Sequence, residues 1–290
     1  MTWLIYFFGS GAAFFAGVGL VLVAAAVFSI CQHKWATRTA TLSALTGLIV
    51  IALSATPLPY WFYALAGVIS LLWLIAERSG QKTLLKSRPL ARVMVVFLWC
   101  TAILMEVPYH FAPTLKPAGR PTLYIFADSV TAGMGETSMV TWPNLLARSH
   151  SVEVHDYSQM GAKVGSMLRK AEKTPVGEGI ILLEIGGNDL LGSKSAIDFE
   201  RDLDLLLAKL GGKARIVLMF ELPLPPLANE FGRIQRRLAR KYAVHLIPKR
   251  IFVSVLTTNG ATVDSVHLSP RGHELMAETV WSLIRTAYID

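Results

Sequence analysis

Three residues of this chain have the types needed for nucleophilic acyl chemistry. Ser129 lies in the run Phe126-Ala127-Asp128-Ser129-Val130-Thr131-Ala132-Gly133, and Asp264 and His267 share the run Asp264-Ser265-Val266-His267. A serine hydroxyl is a weak nucleophile, so attack on an acyl carbonyl needs a base that takes its proton as the bond forms. His267 is the candidate base. Asp264 can hold the imidazole Nδ1–H and stabilise the imidazolium, leaving Nε2 for Ser129. The competing reading is that Asp264 caps the last helix and His267 is a surface residue. His150, His155, His245 and His273 have no such company and read as packing or surface residues.

These residues must be positioned by the second half of the chain, where strand-like and helix-like segments alternate. Strands are expected over 122–127, 152–155, 179–185, 214–221 and 244–247, and helices over 142–149, 164–172, 196–210, 230–243 and 269–288. Short apolar runs separated by periodic helices indicate a parallel sheet with helices on both faces, an α/β three-layer fold. Sites in such sheets form at the carboxyl ends of strands. Asp128 and Ser129 follow the first strand, Gly161 lies in the loop after the second, and Gly186-Gly187-Asn188-Asp189 follows the third.

Serine in Ala-Asp-Ser-x-Thr-x-Gly, Gly161, asparagine in Gly-Gly-Asn-Asp and histidine in Asp-x-x-His, in that order, resemble the four blocks of the SGNH (GDSL-like) hydrolase superfamily. The stretch Leu182-Leu183-Glu184-Ile185-Gly186-Gly187-Asn188-Asp189 is especially similar to the thioesterase and lysophospholipase branch. The resemblance covers roughly residues 122–288. It implies a flavodoxin-like SGNH fold and an oxyanion site made by the backbone N–H of Ser129, the backbone N–H of Gly161 and the side-chain amide of Asn188. Gly161 suits this role because a residue without Cβ permits close approach of the backbone. Asp128 and Asp189 are expected to brace their loops. One position departs from the pattern: Ala127 stands where the family usually has glycine, adding a methyl group beside the nucleophile turn. No Gly-x-Ser-x-Gly run is present, which argues against the sharper serine turn of the α/β-hydrolases.

The first half differs in kind. The chain is 53% apolar over 290 residues, and from Trp3 to about Phe111 charges are nearly confined to two short loops. The expected division is a transmembrane region over 1–112, a Pro-rich linker over 113–121 and an SGNH-like hydrolase domain over 122–290. Four apolar stretches could cross a bilayer: Trp3 to Ile30, Thr39 to about Pro57, Tyr60 to Ala76, and Val93 to Met105. The last is too short unless it continues past Glu106 toward Phe111. Glu106, beside Tyr109 and His110, reads either as part of an interfacial belt or as the floor of a site; the far interface is expected, because a carboxylate near a helix end reaches water cheaply there.

The basic residues fall in the loops: Lys34 and Arg38 after the first span, and Arg78, Lys82, Lys86, Arg88 and Arg92 between the third and fourth. The positive-inside rule puts these loops in the cytoplasm, and the N-terminus and the catalytic domain outside it. The formal net charge of +8 divides into +6 over residues 1–119 and +2 over 120–290, so it reports topology and no nucleic-acid partner is expected. Arg233, Arg236, Arg237, Arg240 and Lys241 on one predicted helix read as a solvated face, the alternative being a basic face that attracts anionic head groups of a nearby bilayer. Cys31 and Cys100 are expected at different depths, unpaired. A cleaved signal peptide is disfavoured, because the N-terminus lacks a basic n-region and three more apolar stretches follow.

The expected function is a membrane-anchored serine ester hydrolase in the cell membrane, acting outside the cytoplasm on acyl or acetyl esters of lipids or envelope glycans. An acyltransferase delivering the acyl group to a sugar or lipid hydroxyl is the alternative, and a non-catalytic envelope scaffold the second. No metal or organic cofactor is called for by this chemistry.

Overall fold

The computed structural model describes residues 2–31, 33–79, 82–135, 140–192, 194–212 and 214–288. The chain forms two compact units, one of Phe7–Pro108 with Leu224–Asn229, the other of Met1–Tyr6, Tyr109–Pro223 and Glu230–Asp290.

The helical unit is built on α2 (Ala12–Ile30), α3 (Lys34–Leu53), α4 (Tyr60–Arg78) and α5 (Lys82–Glu106), the last followed by a 3-10 turn over Val107–His110; α1 (Thr2–Gly9) precedes them and is divided between the two units. Side chains of residues 82–85, Lys82 among them, lie outside the described set. Four of these helices are long and apolar enough to cross a membrane. The first stretch is not one continuous helix: it breaks at Ser10-Gly11, where Gly11 adopts φ 88°. The fourth starts well before Val93, so the basic residues Lys86, Arg88 and Arg92 are helical. Pro89 is accommodated near the start of α5, and Arg88 fastens that turn to the end of α4 by donating to the carbonyls of Ala76, Glu77 and Ser79.

The spans pack through small residues. A Cβ on Gly17 would stand 2.7 Å from the Gly47 carbonyl, and one on Gly47 would stand 2.6 Å from that of Gly17, so α2 and α3 meet backbone to backbone. Ser43 Oγ donates across the same seam to the Leu20 carbonyl at 3.0 Å. Trp99 Nε1 donates to Ser70 Oγ at 3.0 Å and ties α5 to α4. Glu106 is fully buried, contrary to the expectation that it reaches water. Position near a helix end does not by itself give access to solvent.

The second unit is a five-stranded sheet, all parallel, in the order β2-β1-β3-β4-β5, formed by β1 (Leu123–Ala127), β2 (Val154–Asp156), β3 (Gly179–Glu184), β4 (Arg215–Phe220) and β5 (His245–Ile247). One face, carrying Leu123, Ile125, Ala127, Ile180 and Leu182, packs on α7 (Trp142–His150), α12 (Lys249–Thr257) and α13 (Pro270–Ile284) through Trp142, Leu146, Phe252, Met276 and Val280. By strand alternation Phe126, Ile181, Leu183, Val217 and Met219 point the other way. All are buried, on the side closed by α8 (Val164–Lys173), α10 (Ala196–Leu210) and α11 (Asn229–Lys241). The strands and the main helices follow the sequence reading closely; α12 and two single-turn helices, α6 (Ser129–Ala132) and α9 (Gly187–Leu190), do not appear in it.

The basic run on α11 is not one solvated face. Arg236 is 4% exposed; its guanidinium lies 3.6 Å over the Tyr109 ring and donates to Glu221 Oε1 at 2.6 Å. Arg240 donates to Tyr109 Oη, Arg237 pairs with Glu200, and Lys241 pairs with Asp204.

Candidate active site

Sheet register brings the site together. Ala127 at the end of β1 pairs with Glu184 at the end of β3, so the turns that follow the two strands start level and side by side. The β2 side is extended by Tyr157 N donating to Ile125 O at 2.9 Å and Gln159 N to Ala127 O at 3.0 Å, which carries the Gly161 loop to the same edge.

Asp128 caps α6: its Oδ1 accepts from Val130 N at 3.0 Å, and its own N–H is held by Glu184 O. An N-cap of this kind contributes about 1 kcal/mol. It fixes Ser129 as the first residue of a helical turn, with Oγ 3.1 Å from His267 Nε2. His267 Nδ1 lies 2.6 Å from Asp264 Oδ2.

The Asp264–His267 turn is locally determined. Asp264 Oδ1 accepts from Val266 N at 3.1 Å and His267 N at 2.8 Å, and Ser265 takes φ 78° to allow it. Val263 N donates to His267 O, closing the turn from behind. The cap of α13 is Ser269, whose Oγ accepts from Gly272 N at 3.1 Å, and not Asp264. Asp264 is therefore free to face the imidazole. The His267 backbone N–H, then its ring, then the Val266 N–H hold the Asp264 carboxyl down to a pKa of about 2.

The residues named for the oxyanion site lie at the same edge. Asn188 is on α9, and its Nδ2 donates to Ala162 O at 3.0 Å and to Asp128 Oδ2 at 3.4 Å. That amide spans the gap between the Gly161 loop and the nucleophile turn. The backbone N–H groups of Ser129 and Gly161 make no hydrogen bond among the described residues. Gly161 has φ +68°, and a Cβ there would meet nothing within 4 Å, so the conformation requires glycine while the room around it does not. Ala127 is fully buried, its methyl inside the core cluster with Leu123 and Ile125. Asp189 accepts from Val164 N at 2.9 Å and meets Lys194 Nζ at 3.1 Å, bracing the start of α8 after the Gly161 loop.

Sequence reasoning missed a buried carboxyl beneath the nucleophile. Glu184 is 4% exposed, and Thr131 Oγ1 donates to its Oε2 at 3.0 Å; that oxygen of Thr131 accepts in turn from Trp142 Nε1 at 3.1 Å. Burial, then the neighbouring Asp128 charge, pushes Glu184 well above the usual carboxylate range. Burial also raises Asp128, to about 6. In the sequence Glu184 interrupts the apolar run Ile180-Ile181-Leu182-Leu183-Glu184-Ile185, a pattern that marks a strand without saying whether the carboxyl is buried. Of the remaining histidines, His273 is fully buried and accepts from Trp142 N through Nδ1, His150 stacks on Trp281, and His155 stacks on Tyr124.

The model of the GDSL-like Lipase/Acylhydrolase family matches residues 128–275, half of the chain. Esterase TesA of Pseudomonas aeruginosa is 23% identical over 185 residues, covering 59% of this chain and 90% of the relative. Thioesterase 1/protease 1/lysophospholipase L1 of Escherichia coli K12 is 28% identical over 169 residues, covering 53% and 76%. Among solved structures, the psychrotrophic esterase EstA from Pseudoalteromonas sp. superposes with a TM-score of 0.51 at 19% identity, over 57% of this chain and 97% of that one. With four apolar helices joined to the parallel-sheet unit, the chain belongs to the GDSL-like lipase/acylhydrolase (SGNH) family and is an esterase-type hydrolase.

Proposed function

We propose that this protein is a membrane-anchored serine ester hydrolase that works outside the cytoplasm, on acyl or acetyl esters of membrane lipids or envelope glycans, through an acyl-Ser129 intermediate. The observation that carries the reading is the continuous contact Ser129 Oγ–His267 Nε2–His267 Nδ1–Asp264 Oδ2, at 3.1 and 2.6 Å. Ser129 Oγ attacks the ester carbonyl as its proton passes to Nε2, and Asp264 stabilises the imidazolium. The carbonyl oxygen gains the negative charge, which the N–H groups of Ser129 and Gly161 and the Asn188 amide receive. Of the two bonds that Asn188 makes, the 3.4 Å contact to Asp128 is the weaker and is the one to yield a hydrogen to the oxyanion. The tetrahedral species collapses as Nε2–H protonates the departing alkoxide. Water, deprotonated by the same nitrogen, then releases the acid from Ser129.

Placement outside the cytoplasm is supported by the basic residues near the ends of the first and third spans and the start of the fourth. The name of the Escherichia coli relative, thioesterase 1/protease 1/lysophospholipase L1, supports thioesters and lysophospholipids as further substrate candidates.

The full chain in detergent micelles is expected to hydrolyse a short-chain aryl ester and to be labelled by a fluorophosphonate, and Ser129→Ala to lower turnover at least about 10³-fold. Undiminished turnover in that variant would remove the proposal. Release of free acid in the presence of a sugar or lipid acceptor separates hydrolysis from acyl transfer.

A further inference from the structure

The helical unit holds a cationic cavity that catalysis does not use. It lies where α2 ends, α3 begins, α4 ends and α5 begins, encloses about 720 Å³, and is lined by Lys34, Arg38, Arg78, Arg88 and Arg92 against one carboxylate, Glu77. Glu77 is already committed. Its side chain is 2% exposed, receives Arg92 at 2.5 and 2.9 Å, and also accepts from Trp73 Nε1 at 3.0 Å. Arg88 is spent on the last carbonyls of α4. Lys34, Arg38 and Arg78 have no ion-pair partner among the described residues, and Lys34 and Arg38 are four apart on one face of α3.

A second cavity, about 670 Å³, shares Arg92 and Ser29 with the first. It runs along α2 and α5 between Leu22, Val93, Val96, Phe97 and Cys100, and its lining is otherwise apolar. Topology needs basic residues near a span, but it does not need them to converge on a cavity that opens into an apolar groove. A cationic pocket joined at its edge to a groove between helices matches an amphiphile with a negatively charged head and a hydrocarbon tail.

We propose that this composite cavity binds a phosphate-bearing anionic lipid, with the phosphate held by Arg38, Arg78 and Lys34 and one acyl chain lying between α2 and α5. Arg92, fixed by Glu77, stands at the junction of head and tail.

The test uses the full chain in a mild non-ionic detergent, titrated with dioleoyl phosphatidylglycerol, dioleoyl phosphatidylcholine and inorganic phosphate, with bound molecules counted by native mass spectrometry. Retention of the phosphatidylglycerol about tenfold tighter than the phosphatidylcholine is expected, and Arg38→Gln with Arg78→Gln should remove that preference while Arg38→Lys with Arg78→Lys keeps most of it. Val96→Trp, which fills the groove, should weaken retention of both lipids several-fold. Aryl-ester turnover, unchanged in these variants, verifies that they are folded. Equal retention of the two lipids by the wild type, or an undiminished preference in the glutamine variant, overturns the proposal. Displacement of phosphatidylglycerol by millimolar inorganic phosphate, with no effect of Val96→Trp, overturns the lipid assignment in favour of a free phosphate site. Should the glutamine variant not fold, the lysine and tryptophan variants still decide.

Discussion

At the scale of single residues, the arrangement around His267 separates two properties of Asp264. Its carboxyl is held at about 2 by the turn it closes, so it remains a carboxylate through the range in which an ester hydrolase operates. The sign follows from the depressed value: the stabilisation is present above the unfolded carboxylate value and is lost only as pH falls through about 2. Asp264→Asn keeps an acceptor for the Val266 and His267 N–H groups and removes the charge that stabilises the imidazolium. It is expected to lower kcat by about 10²- to 10⁴-fold with KM changed little, measured on the aryl ester over pH 6–9. A fall confined to KM would mean that Asp264 acts on binding instead. Ser129, Gly161 and Asn188 were legible because each follows a strand, and Asp264 and His267 because they share one short motif ahead of the last helix. The backbone reason for Gly161 was not, because a positive φ is a property of the folded loop. Glu184 escaped for a different reason: an acid inside an apolar run can end a strand at the surface or be buried there, and only the packing of Thr131 and Trp142 over it decides.

At the scale of elements, one contact ties a helix to the sheet and another ties two helices to each other. Arg236 on α11 forms a buried pair with Glu221, just beyond β4. Arg236→Ala leaves an uncompensated buried carboxylate and is expected to cost about 3–5 kcal/mol in urea unfolding, whereas Arg236→Met with Glu221→Leu should recover most of that loss. His273 on α13 accepts from Trp142 N on α7, and burial lowers it to about 4. Because its unfolded value is near 6.5, the unfolded chain binds the extra proton first. Stability should therefore fall as pH drops from about 6.5 to 4, by about 3 kcal/mol in all, and His273→Gln should flatten that slope in thermal melts. The strands and long helices were legible from apolar runs and 3.6-residue periodicity. The single-turn helices α6 and α9 were not, since four residues are too few to show a period; their caps, Asp128 and Gly186, define them. The break at Gly11 was hidden for the same reason, because hydropathy runs unchanged through it.

At the scale of the whole molecule, the chain joins a hydrolase unit to a helical unit with four candidate spans. Cys31 and Cys100, both free, are the only cysteines in the sequence, so a Cys31→Ser, Cys100→Ser background gives a clean reporter. Ser282→Cys, on an exposed part of α13, should then react with a membrane-impermeant maleimide in intact spheroplasts, and Lys34→Cys should react only after permeabilisation. The reverse pattern would put the hydrolase unit in the cytoplasm and remove envelope esters from consideration.

The sequence by itself determined the class of chemistry, the parallel α/β architecture and the presence of long apolar segments. All three follow from residue types and periods, which survive without coordinates. Only the tertiary structure decided which groups meet: it set Nε2 of His267 beside Ser129, gave the α13 cap to Ser269, buried Glu106 and Glu184, and gathered dispersed arginines around one cavity. Those outcomes depend on strand register, helix crossings and burial, which involve residues far apart in the chain and leave no local pattern to read.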